Sequence, residues 1–108
     1  MMRLTVSNFK EQVLESTIPV LVDFWSSWCP PCKMVEPIVE ELASELEGRI
    51  KVGKINVDQN PKTSAEFNIA GVPTFALFKE AKLVKRETGA RSKKQLLTMI
   101  ENAGIVIE

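Results

Sequence analysis

An apolar run that leads directly into two closely spaced cysteines constrains the fold more than any other feature of this sequence. Val20–Trp25 is a nearly continuous series of strand-forming side chains, typical of a β-strand that is buried on both faces. Cys29 and Cys32 follow in the segment Trp28–Lys33. A strand followed at once by a helix that opens at these cysteines places both sulfur atoms at the carboxyl edge of a sheet, with Cys29 at the amino end of the helix.

Short strand-like segments alternate with stretches of helical spacing along the rest of the chain. Besides residues 20–25, strands are expected at residues 3–5, 51–58, 74–79 and 83–88. Helices are expected from a cap at Ser7 to about Ser16, from Cys32 to about Leu46 with Pro37 inside it, from a cap at Asn60 to Phe67, and from a Ser92–Gln95 capping box to Gly104. Helices between strands imply right-handed parallel crossovers, and the last two strands are close enough to form a hairpin. The sequence therefore predicts one α/β domain, residues 1–108, with a mixed sheet and helices on both of its faces.

Two features of the composition restrict the chemistry. The chain has two cysteines and no histidine, which excludes catalysis by a Ser–His or Cys–His pair. A structural zinc site usually needs four Cys or His ligands, so we expect no metal site. Basic and acidic residues total 14 each, and this balance gives nucleic acid no electrostatic reason to bind.

The spacing of the cysteines favours redox chemistry. At the amino end of a helix, unpaired backbone N–H groups and the helix dipole stabilise a thiolate, which is the nucleophile in disulfide exchange. Cys29 would attack, and Cys32, about one turn deeper, would resolve the mixed disulfide. A purely structural disulfide is the alternative, but a four-residue loop contributes only roughly 2 kcal/mol in the loop-entropy description.

Asp23 is the one acidic residue in the apolar run. An ionised carboxylate is costly in such surroundings, so its pKa should be raised.

Several motifs in register resemble the thioredoxin family. They are Val22–Lys33, Pro37, Val57–Pro61, Gly71–Thr74 and Gly89, and the match runs from about Ser7 to Ala103. The resemblance implies the thioredoxin fold, a three-layer α/β/α arrangement with a central mixed five-stranded sheet and four helices.

The resemblance also implies roles for individual residues. In the family, the cysteine matching Cys29 attacks a substrate disulfide, the one matching Cys32 resolves it, and the aspartate matching Asp23 accepts the proton of the resolving thiol. The alternative for Asp23, compatible with that role, is a simple ion pair with Lys54, the family's matching lysine on the neighbouring strand. Lys54 is therefore expected among the catalytic residues, together with Cys29, Cys32 and Asp23. Val72 and Pro73 resemble the family's cis-proline loop, for which an ordinary trans turn is the alternative. The substrate-binding residues expected around Cys29 are Trp28, Pro30, Val72, Pro73, Gly89 and Ala90.

Three departures from the family pattern concern the active site, a turn and the carboxyl terminus. Pro30 replaces a glycine and removes a backbone N–H, so Pro30 and Pro31 are expected to tune the redox properties of the pair. Ala81 stands where a hairpin glycine is common, so that turn is expected to differ locally. The tail Gly104–Glu108 adds a short apolar segment whose docking is open.

We predict a protein-disulfide reductase with no bound cofactor other than its own Cys29–Cys32 disulfide. Its expected partners are disulfide-containing client proteins and a separate thioredoxin reductase as electron donor, and neither nucleic acid nor membrane. No apolar stretch has the length of a signal-peptide core or a membrane span, so we expect a cytoplasmic protein. We also expect a monomer. The alternatives are a glutaredoxin-like enzyme coupled to glutathione, a disulfide-forming oxidase or isomerase, and a binding module in which the thiols are incidental.

Overall fold

The chain folds into a five-stranded mixed β-sheet with helices on both faces. The structure is a computed structural model, and it describes residues 2–107. The strands are β1 (Met2–Leu4), β2 (Val20–Trp25), β3 (Lys51–Asn56), β4 (Thr74–Lys79) and β5 (Lys82–Thr88). The helices are α1 (Val6–Phe9, continued by a π-helical segment over Lys10–Leu14), α2 (Pro30–Glu45), α3 (Pro61–Glu66) and α4 (Lys93–Asn102). The mixed sheet and the four helices expected from the sequence are confirmed.

The strands lie in the order β1-β3-β2-β4-β5, so β2 is central. β2 pairs in parallel with β3 and antiparallel with β4, and β5 adds an antiparallel hairpin. In this register Asp23 lies between Lys54 of β3 and Phe75 of β4. Directly opposed residues of neighbouring strands share one face of a sheet, so these three side chains lie on the same face.

Two hydrophobic cores lie on opposite faces of the sheet. Leu21 belongs to the core beneath α2 and α4, and Val22 and Phe24 belong to the core beneath α1. In the second core the rings of Phe9, Phe67 and Phe78 contact one another, with centroids 5.1–5.6 Å apart. Since side chains alternate along a strand, Asp23 faces α2 together with Leu21.

The helix α2 begins at Pro30, two residues before the expected start at Cys32. Cys29 is its N-cap, and Pro30 and Pro31 occupy the first two helical positions. Proline fits there because its fixed φ suits the helix and its missing N–H has no intrahelical partner in the first turn. The inner face of α2 carries Cys32, Val35, Val39 and Leu42, and Pro37 lies inside the helix as expected.

The first helix is capped by Thr5 and not, as expected, by Ser7, which lies within α1. The backbone N–H of Asn8 donates to Thr5 Oγ1 at 3.3 Å, and the backbone N–H of Thr5 donates to Asn8 Oδ1 at 2.7 Å. Asn8 explains why Thr5 and not Ser7 is the N-cap, because its side chain reaches the Thr5 amide and completes a capping box.

Asparagine side chains explain two further differences. β3 ends at Asn56, two residues before the expected end, because Asn56 Oδ1 accepts the N–H groups of Asp58 at 2.8 Å and Gln59 at 3.2 Å and turns the chain. Asn60 precedes α3 as expected, but its side chain makes no cap. It accepts the N–H of Val6 and donates to the Asn56 carbonyl, each at 2.9 Å, and so connects this loop to α1.

The hairpin turn and the tail have defined conformations. Glu80 and Ala81 both adopt positive φ, 52° and 68°, so Ala81 takes the left-handed conformation that glycine would favour. Ile105 is buried in the core beneath α2 and α4. The guanidinium of Arg49 donates to the Ile107 and Glu45 carbonyls, which holds the tail against the end of α2.

Candidate active site

The two cysteines form a disulfide across the start of α2. Their Cα atoms are 5.3 Å apart. Cys29 has an extended backbone as the N-cap, and Cys32 lies in the first helical turn. Each is 3% exposed, so little sulfur surface reaches solvent in this oxidised form. The pairing predicted from the spacing is therefore present.

Among the described residues, one backbone N–H group lies within hydrogen-bond distance of the Cys29 sulfur. The N–H of Cys32 lies 3.2 Å from Cys29 Sγ and 3.1 Å from the Cys29 carbonyl oxygen. Pro30 and Pro31 have no N–H to donate. An N-cap side chain normally accepts from the second or third residue of the helix, and here the second is Pro31. The Cys32 amide is thus the remaining donor that suits a thiolate at Cys29.

Asp23 is buried beneath α2. It is 2% exposed, and its Oδ1 has no hydrogen-bond partner among the residues that the structure describes. Burial raises the pKa of Asp23 from 3.8 to about 7; the charge of Lys54 lowers this pKa, and that of Glu36 raises it. Asp23 and Cys32 face the same interlayer space, since α2 turns its cysteine-bearing face towards this side of the sheet.

Lys54 makes its ion pair with Glu36. Its Nζ lies 3.7 Å from Glu36 Oε1 and 5.0 Å from the centroid of the Trp25 ring. The simple Asp23–Lys54 ion pair considered from the sequence is therefore not what forms, because α2 supplies a competing carboxylate. Sequence reasoning missed Glu36, although its position four residues after Cys32 places it one helical turn further along α2.

Trp28 is 68% exposed beside the cysteines, yet its indole is anchored. The indole N–H donates to Asp58 Oδ2 at 3.0 Å, and the Ser26 hydroxyl donates to the same oxygen at 2.6 Å. Sequence reasoning assigned no role to Ser26 or Asp58. The signal available was that Asp58 lies inside one of the family motifs, Val57–Pro61.

An apolar groove of about 130 Å³ lies beside Trp28. It is lined by Trp28, Val57, Ile69, Ala70, Gly71 and Val72. Of the expected substrate-binding residues, the groove brings together Trp28 and Val72, whereas Pro30 and Ala90 are exposed and outside its lining. Val57, Ile69, Ala70 and Gly71 were missed as substrate-binding residues because three separate segments of the chain supply the lining.

The Val72–Pro73 peptide bond is cis, as the resemblance implies. Pro73 is buried, and its carbonyl accepts the N–H of Gly89 at 2.7 Å. Gly89 has φ 105°, a conformation that side-chain-bearing residues rarely adopt. The proline loop and the end of β5 are therefore bonded to each other through their backbones.

Three further features of the described chain concern surface depressions, metal sites and membrane-spanning helices. A larger open depression of about 480 Å³ lies at the start of β3, the edge of the sheet opposite the cysteines. Residues 2–107 contain no cluster of three or more Cys, Asp or Glu side chains suited to a metal ion. None of the described helices has the length and apolar character required to cross a bilayer.

A cysteine pair that closes into a disulfide at the start of a helix can exchange that bond with other disulfides. This protein is therefore of the thiol–disulfide oxidoreductase class. The family profile described as Thioredoxin matches residues 1–102. The chain belongs to the thioredoxin family.

Named thioredoxins from three bacteria are similar over most of the chain. The thioredoxin of Rickettsia conorii is 47% identical over 97 residues, covering 90% of this chain and 92% of its own. That of Acidithiobacillus ferridurans is 48% identical, covering 88% of each chain. Thioredoxin 1 of Nostoc sp. is 46% identical, covering 92% of each.

Proposed function

We propose that this chain is a general protein-disulfide reductase whose active site is the segment Cys29–Cys32 with its two intervening prolines. The Cys29 thiolate attacks one sulfur of a client disulfide, forms a mixed disulfide and releases the first client thiolate. The Cys32 thiolate then attacks Cys29, which forms the internal disulfide and releases the second client thiolate. Two electrons pass to the client, and two protons complete its thiols.

One observation carries this proposal. Cys29 and Cys32 are joined at the N-terminus of α2, with the Cys32 N–H 3.2 Å from the Cys29 sulfur. The same donor stabilises the anion when the disulfide is reduced, because a hydrogen bond to the charged form favours it.

Asp23 is proposed as the acceptor for the Cys32 proton, with Lys54 beside it. Its carboxyl group faces α2, lacks a hydrogen-bond partner at Oδ1 within residues 2–107, and has a pKa raised by burial to about 7. Such a group exchanges a proton readily near neutral pH. A buried base is needed because Cys32, 3% exposed, has little access to solvent.

Client proteins are proposed to dock on the apolar groove and the rim of the active site. Trp28 and Val72 line the groove. Pro73 and Gly89, which are joined by a backbone hydrogen bond, follow Val72 and the end of β5. Pro30 and Ala90 are exposed and complete the rim. An apolar surface at a reactive centre suits transient binding of many partners. A separate thioredoxin reductase would return the electrons, and the working form would be a cytoplasmic monomer without a bound cofactor.

Insulin reduction with dithiothreitol as donor tests the function. Cys29→Ser should abolish catalysed turnover, since it removes the nucleophile. Cys32→Ser should accumulate a covalent mixed disulfide with insulin, because the resolving step is lost, and mass spectrometry detects it. Turnover by Cys29→Ser at the parent rate would contradict the proposal. Turnover that requires glutathione would indicate the glutaredoxin-like alternative.

A further inference from the structure

We propose that Glu36 is a positioning residue for proton transfer at Asp23: it holds the Lys54 ammonium group and leaves the buried carboxyl group without an ion-pair partner in the part of the chain that the structure describes. The inference rests on the proposed role of Asp23 in the thiol chemistry. It concerns a residue that acts through its neighbour Lys54.

The sheet places an acid and a base where they would normally pair. Asp23 and Lys54 are directly opposed in the parallel strands β2 and β3 and lie on the same face. Neighbouring strands are about 4.8 Å apart, a distance that a lysine side chain spans easily. Even so, Asp23 Oδ1 is buried with no hydrogen-bond partner among the described residues.

Two contacts explain why Lys54 does not pair with Asp23. The Lys54 ammonium group lies 3.7 Å from Glu36 Oε1 on α2. It also lies 5.0 Å from the centroid of Trp25, within the range of a cation–π interaction. The side chains of Lys54 and Glu36 are 24% and 43% exposed, so the pair sits at the boundary between the buried carboxyl group and solvent.

Among the groups that face Asp23, Glu36 is the one whose replacement should change the pKa of Asp23 without altering the strands or the cysteines. β3 contributes Lys54, α2 contributes Glu36 and the disulfide-bonded Cys32, and β4 contributes the uncharged Phe75. Glu36 favours a higher pKa of Asp23 in two ways. Its own charge disfavours a second carboxylate nearby, and its ion pair draws the lysine charge away. The charge of Glu36 raises the pKa of Asp23 in addition to the larger effect of burial, and the ion pair limits how far the charge of Lys54 lowers that pKa.

The experiment follows Asp23 directly in the full-length protein. The carboxyl carbon of labelled aspartate is titrated by NMR in the parent, in Glu36→Gln and in Glu40→Gln. Glu40 is the matched control, since it is an exposed glutamate one turn further along α2. We expect Glu36→Gln to lower the Asp23 midpoint by about one pH unit, because Lys54 is freed to approach it, and Glu40→Gln to leave it unchanged. An unchanged midpoint in Glu36→Gln would overturn the proposal.

A second readout separates this inference from the proposed function. The pH profile of the insulin-reduction rate should shift in Glu36→Gln together with the Asp23 midpoint. Adding Asp23→Asn to both the parent and the Glu36→Gln variant should make their two profiles coincide. If the midpoint moves but the rate profile does not, the role of Glu36 in proton transfer is refuted while the Cys29-dependent reductase activity stands. If the parent protein itself did not catalyse insulin reduction, the proposed function would instead be contradicted.

Discussion

The exposed indole of Trp28 and the carboxylate of Asp58 are joined by a 3.0 Å hydrogen bond next to the disulfide. The same carboxylate oxygen accepts the Ser26 hydroxyl, so side chains from two segments of the chain, the loop before α2 and the loop after β3, meet at one acceptor atom. The result is a large apolar ring that is held in place before a client binds, which reduces the ordering cost of association.

Removal of the Asp58 carboxylate should weaken client binding more than the chemistry. In Asp58→Ala the indole loses its acceptor, and a lost hydrogen bond of about 1 kcal/mol corresponds to roughly a five-fold rise in KM for insulin, with kcat nearly unchanged. Steady-state kinetics measures both. Gln59→Ala serves as the control, since it changes the exposed residue next to Asp58 and leaves the acceptor of the indole N–H in place. A fall in kcat at constant KM would argue against a docking role for Trp28.

The stability of the oxidised protein should fall with pH because of Asp23. Its folded-state pKa of about 7 lies above the unfolded value of 3.8. The native state therefore binds this proton more tightly, and the free energy of unfolding decreases as the pH rises from about 4 to 7 and is level above. A shift of about three units corresponds to about 4 kcal/mol. Denaturant titrations across this range should show the decrease in the parent and its absence in Asp23→Asn; parallel pH dependences would contradict a raised pKa.

Restoration of a backbone donor at position 31 should acidify Cys29. Pro31→Ala supplies an N–H at the second helical position, where N-cap side chains accept hydrogen bonds. We expect the Cys29 pKa to fall by about one unit, since a hydrogen bond to a charged group contributes about 1.5 kcal/mol. Ultraviolet absorbance of the thiolate follows this titration in the reduced protein.

The same substitution should make the protein more oxidising, because a stabilised thiolate favours the reduced form by up to about 30 mV per 1.4 kcal/mol. Pro30→Ala is the matched control and should act more weakly, since the first helical position is less well placed to donate to the cap. Equal effects of the two substitutions would show that ring constraint, and not the missing donor, governs the thiol.

Replacement of Ala81 by glycine should stabilise the β4–β5 hairpin. Ala81 has φ 68°, a conformation that costs a non-glycine residue about 1–2 kcal/mol. Glycine removes that cost but loses more conformational entropy on folding, so we expect a net gain of about 0.5–1 kcal/mol. Ala65→Gly within α3 is the control and should destabilise by about 1 kcal/mol. Chemical denaturation measures both, and a destabilised Ala81→Gly would show that the turn is not strained.

Elements whose signals are local could be predicted from the sequence with accurate bounds. Val20–Trp25 and Thr74–Lys79 are apolar strand formers with clear ends, and both strands begin and end where expected. The Ser92–Gln95 capping box is also confirmed, since it needs only residues three apart. The cap at Thr5 was missed because two candidate hydroxyl residues, Thr5 and Ser7, lie close together and the choice depended on Asn8.

The primary structure alone therefore determined the layered sheet and the cysteine pair at the start of α2, because both depend on the order of apolar residues and on a three-residue spacing. Tertiary structure decided which partners the polar side chains take. Lys54 pairs with Glu36 instead of Asp23, and Trp28 is anchored by Asp58, 30 residues away. Such contacts join segments whose distance in the chain carries no information about their distance in space. They form only when the packing of α2 and the loops onto the sheet has set the positions of the side chains.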